Sequence, residues 1–432
     1  MSAAATGSTR SCVTGLECHR CGVSLPIGET EAFCPRCGKC LDVAYDYDTA
    51  AERLRELPLE GRPRNIWRLS ELLPIRDPRA QGKVGQFSGQ TPLIPADRLG
   101  AELGLKRLYI KDDSSSRPSF SYKDRVVSTA IARLLELGKD EIACVSTGNV
   151  GTAVASIANK AGVTPYVFYP NRLEQTKARV CRALGAKVCQ VEGNYDEANR
   201  ECRKVAEATG LQFANITLRP FYAEGAKTMA FEIVEQLGWH APDHIISATA
   251  GGTLSSRLHK GLRELERVGL AQTSAVKMHI AQPEGCSPIA GAIQAGEEEI
   301  QPRVPTTVAH SLAIGTPGDG YLVIDAVRSR GGSAAVANDE EIFAGIDLLA
   351  RTEGLLTEPA GGTTVAALSK LAASGQVDPE ATIVAIITGN GLKTLEDHPD
   401  KPWRPAVECD AEAMASVLSD FRHESAPQTL PA

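Results

Sequence analysis

From about residue 105 onward the chain alternates short apolar runs with longer amphipathic stretches, and that alternation leaves few folds open. Strands are expected over 108–110, 142–145, 165–169, 187–191, 244–248, 277–281 and 382–387. Helices are expected over 150–161, 173–184, 196–208, 227–237, 254–267, 339–351 and 364–373. A further helix opens at Lys123, with Val126, Val127, Ala130, Ile131, Leu134 and Leu135 on one apolar face. Strands separated by helices of this length need crossover connections, so the pattern predicts an α/β fold whose parallel sheets are covered on both faces.

The first fifty residues follow a different rule. Cys18-His19-Arg20-Cys21 and Cys34-Pro35-Arg36-Cys37 are two C-x-x-C pairs twelve residues apart, each followed by glycine. Such knuckles close a tetrahedral thiolate site on zinc, and four thiolates leave the metal no open position, so the expected role is structural. Metal binding also lets so small a module fold without a large core. Cys40 is a spare thiol near this site and Cys12 is read as free. Cys144, Cys181, Cys189 and Cys202 stand singly in strand-like or helix-like runs and are expected to be small buried hydrophobes. Residues 49–77 read as a short helix and a proline-containing connector.

Ligands of open α/β sheets bind where strands end and loops turn into helices. Three loops here have suitable residues. Ser146-Thr147-Gly148-Asn149 offers hydroxyls, an amide and a helix N-terminus, which can grip an anion or simply cap the helix. Thr249-Ala250-Gly251-Gly252-Thr253 lets backbone N–H groups converge on an anion, with a hydroxyl from Thr253. Its spacing is neither G-x-G-x-x-G nor a P-loop, which disfavours a dinucleotide or a nucleoside triphosphate. Thr388-Gly389-Asn390-Gly391 is either a glycine turn or a place where a hydroxyl meets a ring nitrogen. Ahead of all three lies Ser119-Phe120-Ser121-Tyr122-Lys123-Asp124-Arg125. Lys123 is a surface lysine opening a helix or, in a pocket, an amine able to form a Schiff base.

Taken in order, these segments resemble the threonine synthase family of fold-type II pyridoxal phosphate (PLP) enzymes. Pro118 to Arg125 is similar to the family's P-T-G-S-F-K-D-R, and Ser146 to Asn149 to its S-T-G-N. Arg219 to Thr228 resembles N-P-Y-R-x-E-G-x-K-T, Ile314 to Gly320 resembles I-G-N-P-A-D-G, and Glu358-Pro359-Ala360 resembles E-P-A. The resemblance runs from near Cys18 to about Leu395. It implies a tryptophan synthase β-like architecture with PLP carried by Lys123. It further implies Asn149 at the cofactor's 3-hydroxyl, Ala250, Gly251, Gly252 and Thr253 at its phosphate, and Thr388 at its ring nitrogen. The implied reaction converts O-phospho-L-homoserine and water to L-threonine and phosphate, with Lys123 moving protons. Ser146 and Thr147 are expected at the substrate, and Ser119, Ser121 and Lys227 at its leaving phosphate.

Phe120, Tyr122 and Thr316 depart from the family pattern, and Phe120 is expected to narrow the pocket. That keeps an alternative open: β-replacement on O-phosphoserine or O-phosphothreonine by sulfite, ammonia or another nucleophile, as in cysteate synthase. The expected division is a ribbon over 1–48, a large cofactor domain over 49–122 and 226–405, a small domain over 123–225, and a helix and tail over 406–432. The resemblance suggests a monomer or homodimer.

A formal charge of −7 argues against a nucleic-acid or acidic-membrane partner. No apolar run reaches the ~20 residues that span a bilayer, and the first residues lack a basic-then-apolar leader, so a cytoplasmic protein is expected.

Overall fold

The described chain opens with a small antiparallel sheet, in which β1 (Val13–Glu17) pairs with β2 (Ser24–Leu25) and with β3 (Asp42–Tyr45). The structure is a computed structural model and describes residues 10–28, 32–146, 148–170, 175–399, 406, 409 and 411–424. Two like turns carry the cysteines: Gly22 N–H donates to the Cys18 carbonyl at 2.9 Å, and Gly38 N–H to that of Cys34 at 2.8 Å. The sulfurs of Cys18, Cys21, Cys34 and Cys37 lie within 4.8 Å of one another, and two of the pairs are 3.5 Å apart. A tetrahedral zinc with Zn–S near 2.3 Å sets its sulfurs about 3.8 Å apart, so the four thiols fit such a site.

This ribbon docks on the body through buried charge. Asp42 of β3 meets Arg257 and, at 2.8 Å, Lys260. The Tyr45 hydroxyl donates to Glu224 at 2.7 Å, and that of Tyr47 to Glu264 at 3.1 Å. Lys227 lies between Glu224 and Glu264, at 2.5 and 2.8 Å, with no exposed side-chain surface. Three carboxylates thus face three cations in a region that excludes water. Each carboxylate has more than one cationic or hydroxyl partner, which such burial demands.

The body is built on two sheets. β4 (Leu93–Pro95) runs antiparallel to β5 (Arg107–Asp112). The chain then leaves to build a parallel four-stranded sheet from β6 (Glu141–Val145), β7 (Thr164–Pro170), β8 (Lys187–Val191) and β9 (Gln212–Phe213), in the order β8-β7-β6-β9. It returns through β10 (His244–Ala248), β11 (Lys277–Pro283), β12 (Ala334–Ala337) and β13 (Thr382–Ile387). These complete a six-stranded sheet in the order β12-β11-β10-β13-β5-β4, parallel except at β4. β10 is buried throughout and β13 almost so, as strands covered on both faces must be.

All seven expected strands are present, and β8, β10 and β13 have the expected bounds. Two helices start earlier than expected, at Arg219 and Pro359, each with a proline in its first turn. The helix Pro359–Ala373 accommodates Gly362 because its neighbour Asp339–Glu353 comes very close, and Gly361 because the Thr357 side chain lies against it. A Cβ on Gly362 would stand 2.4 Å from the Ile342 carbonyl oxygen. Cys144, Cys181 and Cys202 are buried as expected, but Cys189 is exposed because β8 is an edge strand.

Residues 397–432 form a unit separate from 1–396, with the helix Ala411–Glu424 in it. The expected tail beyond that helix lies outside the described residues. No helix among the described residues is long and apolar enough to cross a membrane.

One buried pair gives a pH prediction. His244 Nδ1 and His279 Nε2 lie 2.9 Å apart on neighbouring strands, and His279 Nδ1 lies 2.8 Å from the Ser333 hydroxyl. Burial, then the neighbouring His244 and Lys277 charges, bring His279 down to about 4. The unfolded imidazole takes a proton near pH 6.5 and the folded one only near 4, so stability is lost as pH falls through that window. The loss from this group is expected to reach about 3 kcal/mol. Urea midpoints between pH 7 and 4 should fall less steeply in His279→Gln than in the parent; parallel slopes would refute the assignment.

Candidate active site

The loop before Lys123 is held from two sides. Ser119 N–H donates to both oxygens of Asp124 at 3.1 Å, and the hydroxyls of Ser119 and Ser121 lie 2.9 Å apart. Tyr122 N–H donates to the Thr388 carbonyl at 3.0 Å, and Asn390 N–H to that of Phe120 at 3.1 Å. The lysine loop therefore pairs with the turn after β13, and Lys123 opens the helix Lys123–Glu136 beside it. Burial pushes the Asp124 carboxyl up to about 7 against the pull of the Ser119 N–H.

Below this loop Arg125 is wholly buried. It meets Asp113 at 2.6 Å and both oxygens of Glu232, one of them at 2.7 Å. Lys111 reaches the same Glu232 at 2.8 Å. Burial alone would push the Glu232 carboxyl up, but the Arg125 and Lys111 charges hold it down at about 2.

Lys123 opens into a cavity of about 360 Å³, within the usual range for small-molecule sites. Ser146, Asn149, Ala250, Gly251, Gly252, Thr253 and Thr388 line the same cavity. Four separate strand ends thus converge there, as the topology of an open sheet allows. Gly252 has φ +100°, and a Cβ there would stand 2.9 Å from the Asp319 carbonyl carbon, so only glycine fits. The N–H groups of Ala250, Gly251 and Gly252 donate to no described residue. They precede the helix Thr253–Arg267, whose N-terminus adds positive potential. The Thr388 hydroxyl lines the cavity with no hydrogen-bond partner among the described residues.

Ser146 has a local task as well. Its Oγ accepts N–H bonds from Gly148 at 2.9 Å and Gly151 at 2.7 Å, which fixes the turn into the helix Asn149–Ala161. The Asn149 amide donates to Glu358 at 2.7 Å and accepts from Lys393 at 2.8 Å. Lys393 also donates to the carbonyls of Ser119 and Phe120, so one ammonium joins the lysine loop to the Asn149 loop. Burial opposes ionisation of Glu358, but Lys393 and Lys177 hold its carboxyl below the usual range.

Several expectations need correction. Ser119 and Ser121 are buried against each other and do not line the cavity. Lys227 belongs to the ribbon interface, where two carboxylates occupy its ammonium. Phe120 does not narrow the pocket. Its backbone is left-handed, with φ +55°, and its ring is half exposed, while Tyr122 takes a place in the cavity wall. Thr147 lies outside the described residues.

The sequence reading also missed one wall. Arg200 and Arg203, both exposed, stand at the cavity with Tyr195 and Asn199, all on the helix Tyr195–Thr209. The Arg203 guanidinium lies 4.1 Å from the Phe33 ring of the ribbon. Arg200 meets only Glu201, at 3.5 Å, and Arg203 has no carboxylate ion-pair partner among the described residues. A helix was expected here, but nothing in its periodicity showed which face would border a cavity.

Comparison with known proteins agrees with this geometry. Residues 84–389 match the family model described as "Pyridoxal-phosphate dependent enzyme". The chain is 34% identical to the threonine synthase of Methanocaldococcus jannaschii over 412 residues, 94% of this chain and 99% of that protein. It is 36% identical to the threonine synthase of Methanosarcina acetivorans over 396 residues, 91% of this chain and 95% of that protein. Among solved structures it resembles the diaminopropionate ammonia lyase of Escherichia coli, with TM-score 0.64, 19% identity, and coverage of 74% of this chain and 88% of that one. It also resembles a pyridoxal 5'-phosphate-dependent aspartate racemase, with TM-score 0.63, 23% identity, and coverage of 74% and 96%. At such identities the structures speak for the fold alone, and that fold is the expected fold-type II arrangement.

Proposed function

Because the chain belongs to the pyridoxal-phosphate-dependent enzymes and, among them, to the threonine synthase family, we propose that it converts O-phospho-L-homoserine and water to L-threonine and phosphate. One observation carries this reading. A single cavity is lined by an amine, by a turn with free N–H groups, and by two exposed arginines, of which only Arg200 has a carboxylate ion-pair partner among the described residues, Glu201 at 3.5 Å. That is room for two anions, one on the cofactor and one on the substrate.

The residues fit PLP. Lys123 offers the amine, the free N–H groups of Ala250, Gly251 and Gly252 suit a phosphate while the Thr253 hydroxyl donates to Asp319 behind them, and the free Thr388 hydroxyl suits a ring nitrogen. When bound, the cofactor supplies an electron sink for charge developing at the substrate carbon. The protein's own part is positional. Lys123 would serve as base and then acid, moving protons at Cα and Cβ of the substrate. Arg200 and Arg203 hold the departing phosphate, a role given to Ser119, Ser121 and Lys227 on sequence alone. Tyr122 and Tyr222 line the same cavity as the lysine. The four-thiol ribbon is read as a structural zinc site.

Incubating the cofactor-loaded protein with O-phosphohomoserine should release phosphate and yield threonine. In Arg200→Gln/Arg203→Gln, KM should rise by about a hundredfold, since two charged hydrogen bonds of about 1.5 kcal/mol each are lost. Phosphate release from O-phosphoserine only, dependent on added sulfite or ammonia, would instead establish β-replacement.

A further inference from the structure

The ribbon is part of the cavity wall. Cys40, left over after the four clustered thiols, faces the cavity and is almost fully buried. Its sulfur accepts a hydrogen bond from Arg219 Nε at 3.1 Å. The same guanidinium grips Asp319 with Nη2 at 2.7 Å. Asp319 in turn touches the anion-binding turn twice: its Oδ2 accepts from the Thr253 hydroxyl, and its N–H donates to the Gly251 carbonyl, both at 3.0 Å. Burial would raise its carboxyl, and the Arg219 and Arg257 charges hold it ionised. A chain of contacts thus runs from the ribbon to the turn.

We propose that Cys40 is a positioning residue: through Arg219 and Asp319 it sets the geometry of the turn Thr249–Thr253 that receives the cofactor's phosphate. The inference rests on reading that turn as the phosphate site. Arg219 has two competing directions, inward to the open cavity and outward to the ribbon, because it lines the cavity itself. The sulfur fixes its Nε side, which leaves Nη2 aligned on Asp319. Without that acceptor the guanidinium is free to turn into the cavity and loosen Asp319. The ribbon also holds the next turn of the same helix, through Asp42 on Arg257 and Lys260, so the helix itself stays in place when Cys40 is changed.

The test compares two ligands of full-length protein, PLP and pyridoxal, which differ by the phosphate. In Cys40→Ala the dissociation constant for PLP should rise about tenfold, the usual size for one charge-assisted hydrogen bond, while that for pyridoxal stays constant. Bound zinc should remain unchanged. Cys40→Ser, which keeps an acceptor, should recover most of the discrimination and guards against a folding defect in the alanine variant. Thr253→Val serves as the control for the underlying reading. If it loses PLP selectively and Cys40→Ala does not, Cys40 has no positioning role. If neither variant discriminates between the ligands, the turn is not the phosphate site. A parallel loss of both ligands, or of zinc with them, would mark Cys40 as a merely structural residue and overturn the proposal.

Discussion

Replacing Lys123 by alanine is expected to lower turnover of the phosphorylated amino acid by about a thousandfold or more, and to abolish the visible absorbance of lysine-bound cofactor. The fold should survive, because the loop does not depend on this side chain. Its backbone is pinned by the Asp124 carboxylate at Ser119, by the turn after β13, and by Lys393 on two carbonyls. Cofactor should still bind through the turn Thr249–Thr253, but without the covalent link. Small primary amines should restore part of the turnover, since alanine leaves room where the ammonium stood. An alanine variant with wild-type absorbance and rate would remove Lys123 from the chemistry.

The second large effect lies two residues further on. Arg125→Met should destabilise the protein by about 3–5 kcal/mol, the usual cost of breaking a buried ion pair. Arg125 and Asp113 have no exposed side-chain surface, and Glu232 has 3%. Methionine fills much of the volume but strands two carboxylates with Lys111 as the sole remaining ammonium in contact with Glu232. The lost stability should be regained in part on acidification, when those carboxylates protonate. Equilibrium urea unfolding measures both. A loss below about 1 kcal/mol would mean that the network has relaxed around the change.

The contrast between these two residues shows what was legible in the chain. Lys123 sits in a pattern with a recognisable neighbourhood, and the strand–helix alternation places four loops at one end of the sheets. Lys111, Asp113 and Arg125 look like solvated charges in the sequence, because burial of a charge depends on partners far along the chain. Glu232 is more than a hundred residues from Arg125. Lys227 failed for the same reason. On a helix buried on every side, a lysine three residues after Glu224 reads equally well as a ligand-binding cation or as half of an ion pair. β12 escaped notice because Ala334-Ala335-Val336-Ala337 lacks the bulk that marks a strand, and it forms the edge of its sheet. The early helix starts at Arg219 and Pro359 were readable from proline. They were masked by glycines that only make sense once a neighbouring helix is seen to press against them.

The charged seam under β3 has a consequence for anyone wishing to shorten this protein. Cutting the chain after Tyr45 would uncover Arg257, Lys260 and Lys227 beside Glu224 and Glu264, with a surplus of positive charge and no apolar surface designed to meet water. A truncated body that precipitates would therefore say nothing about whether the metal-bearing end takes part in turnover. Point changes in the intact chain are the informative route, and a gain or loss of that end in descent would need compensating changes on at least two helices at once.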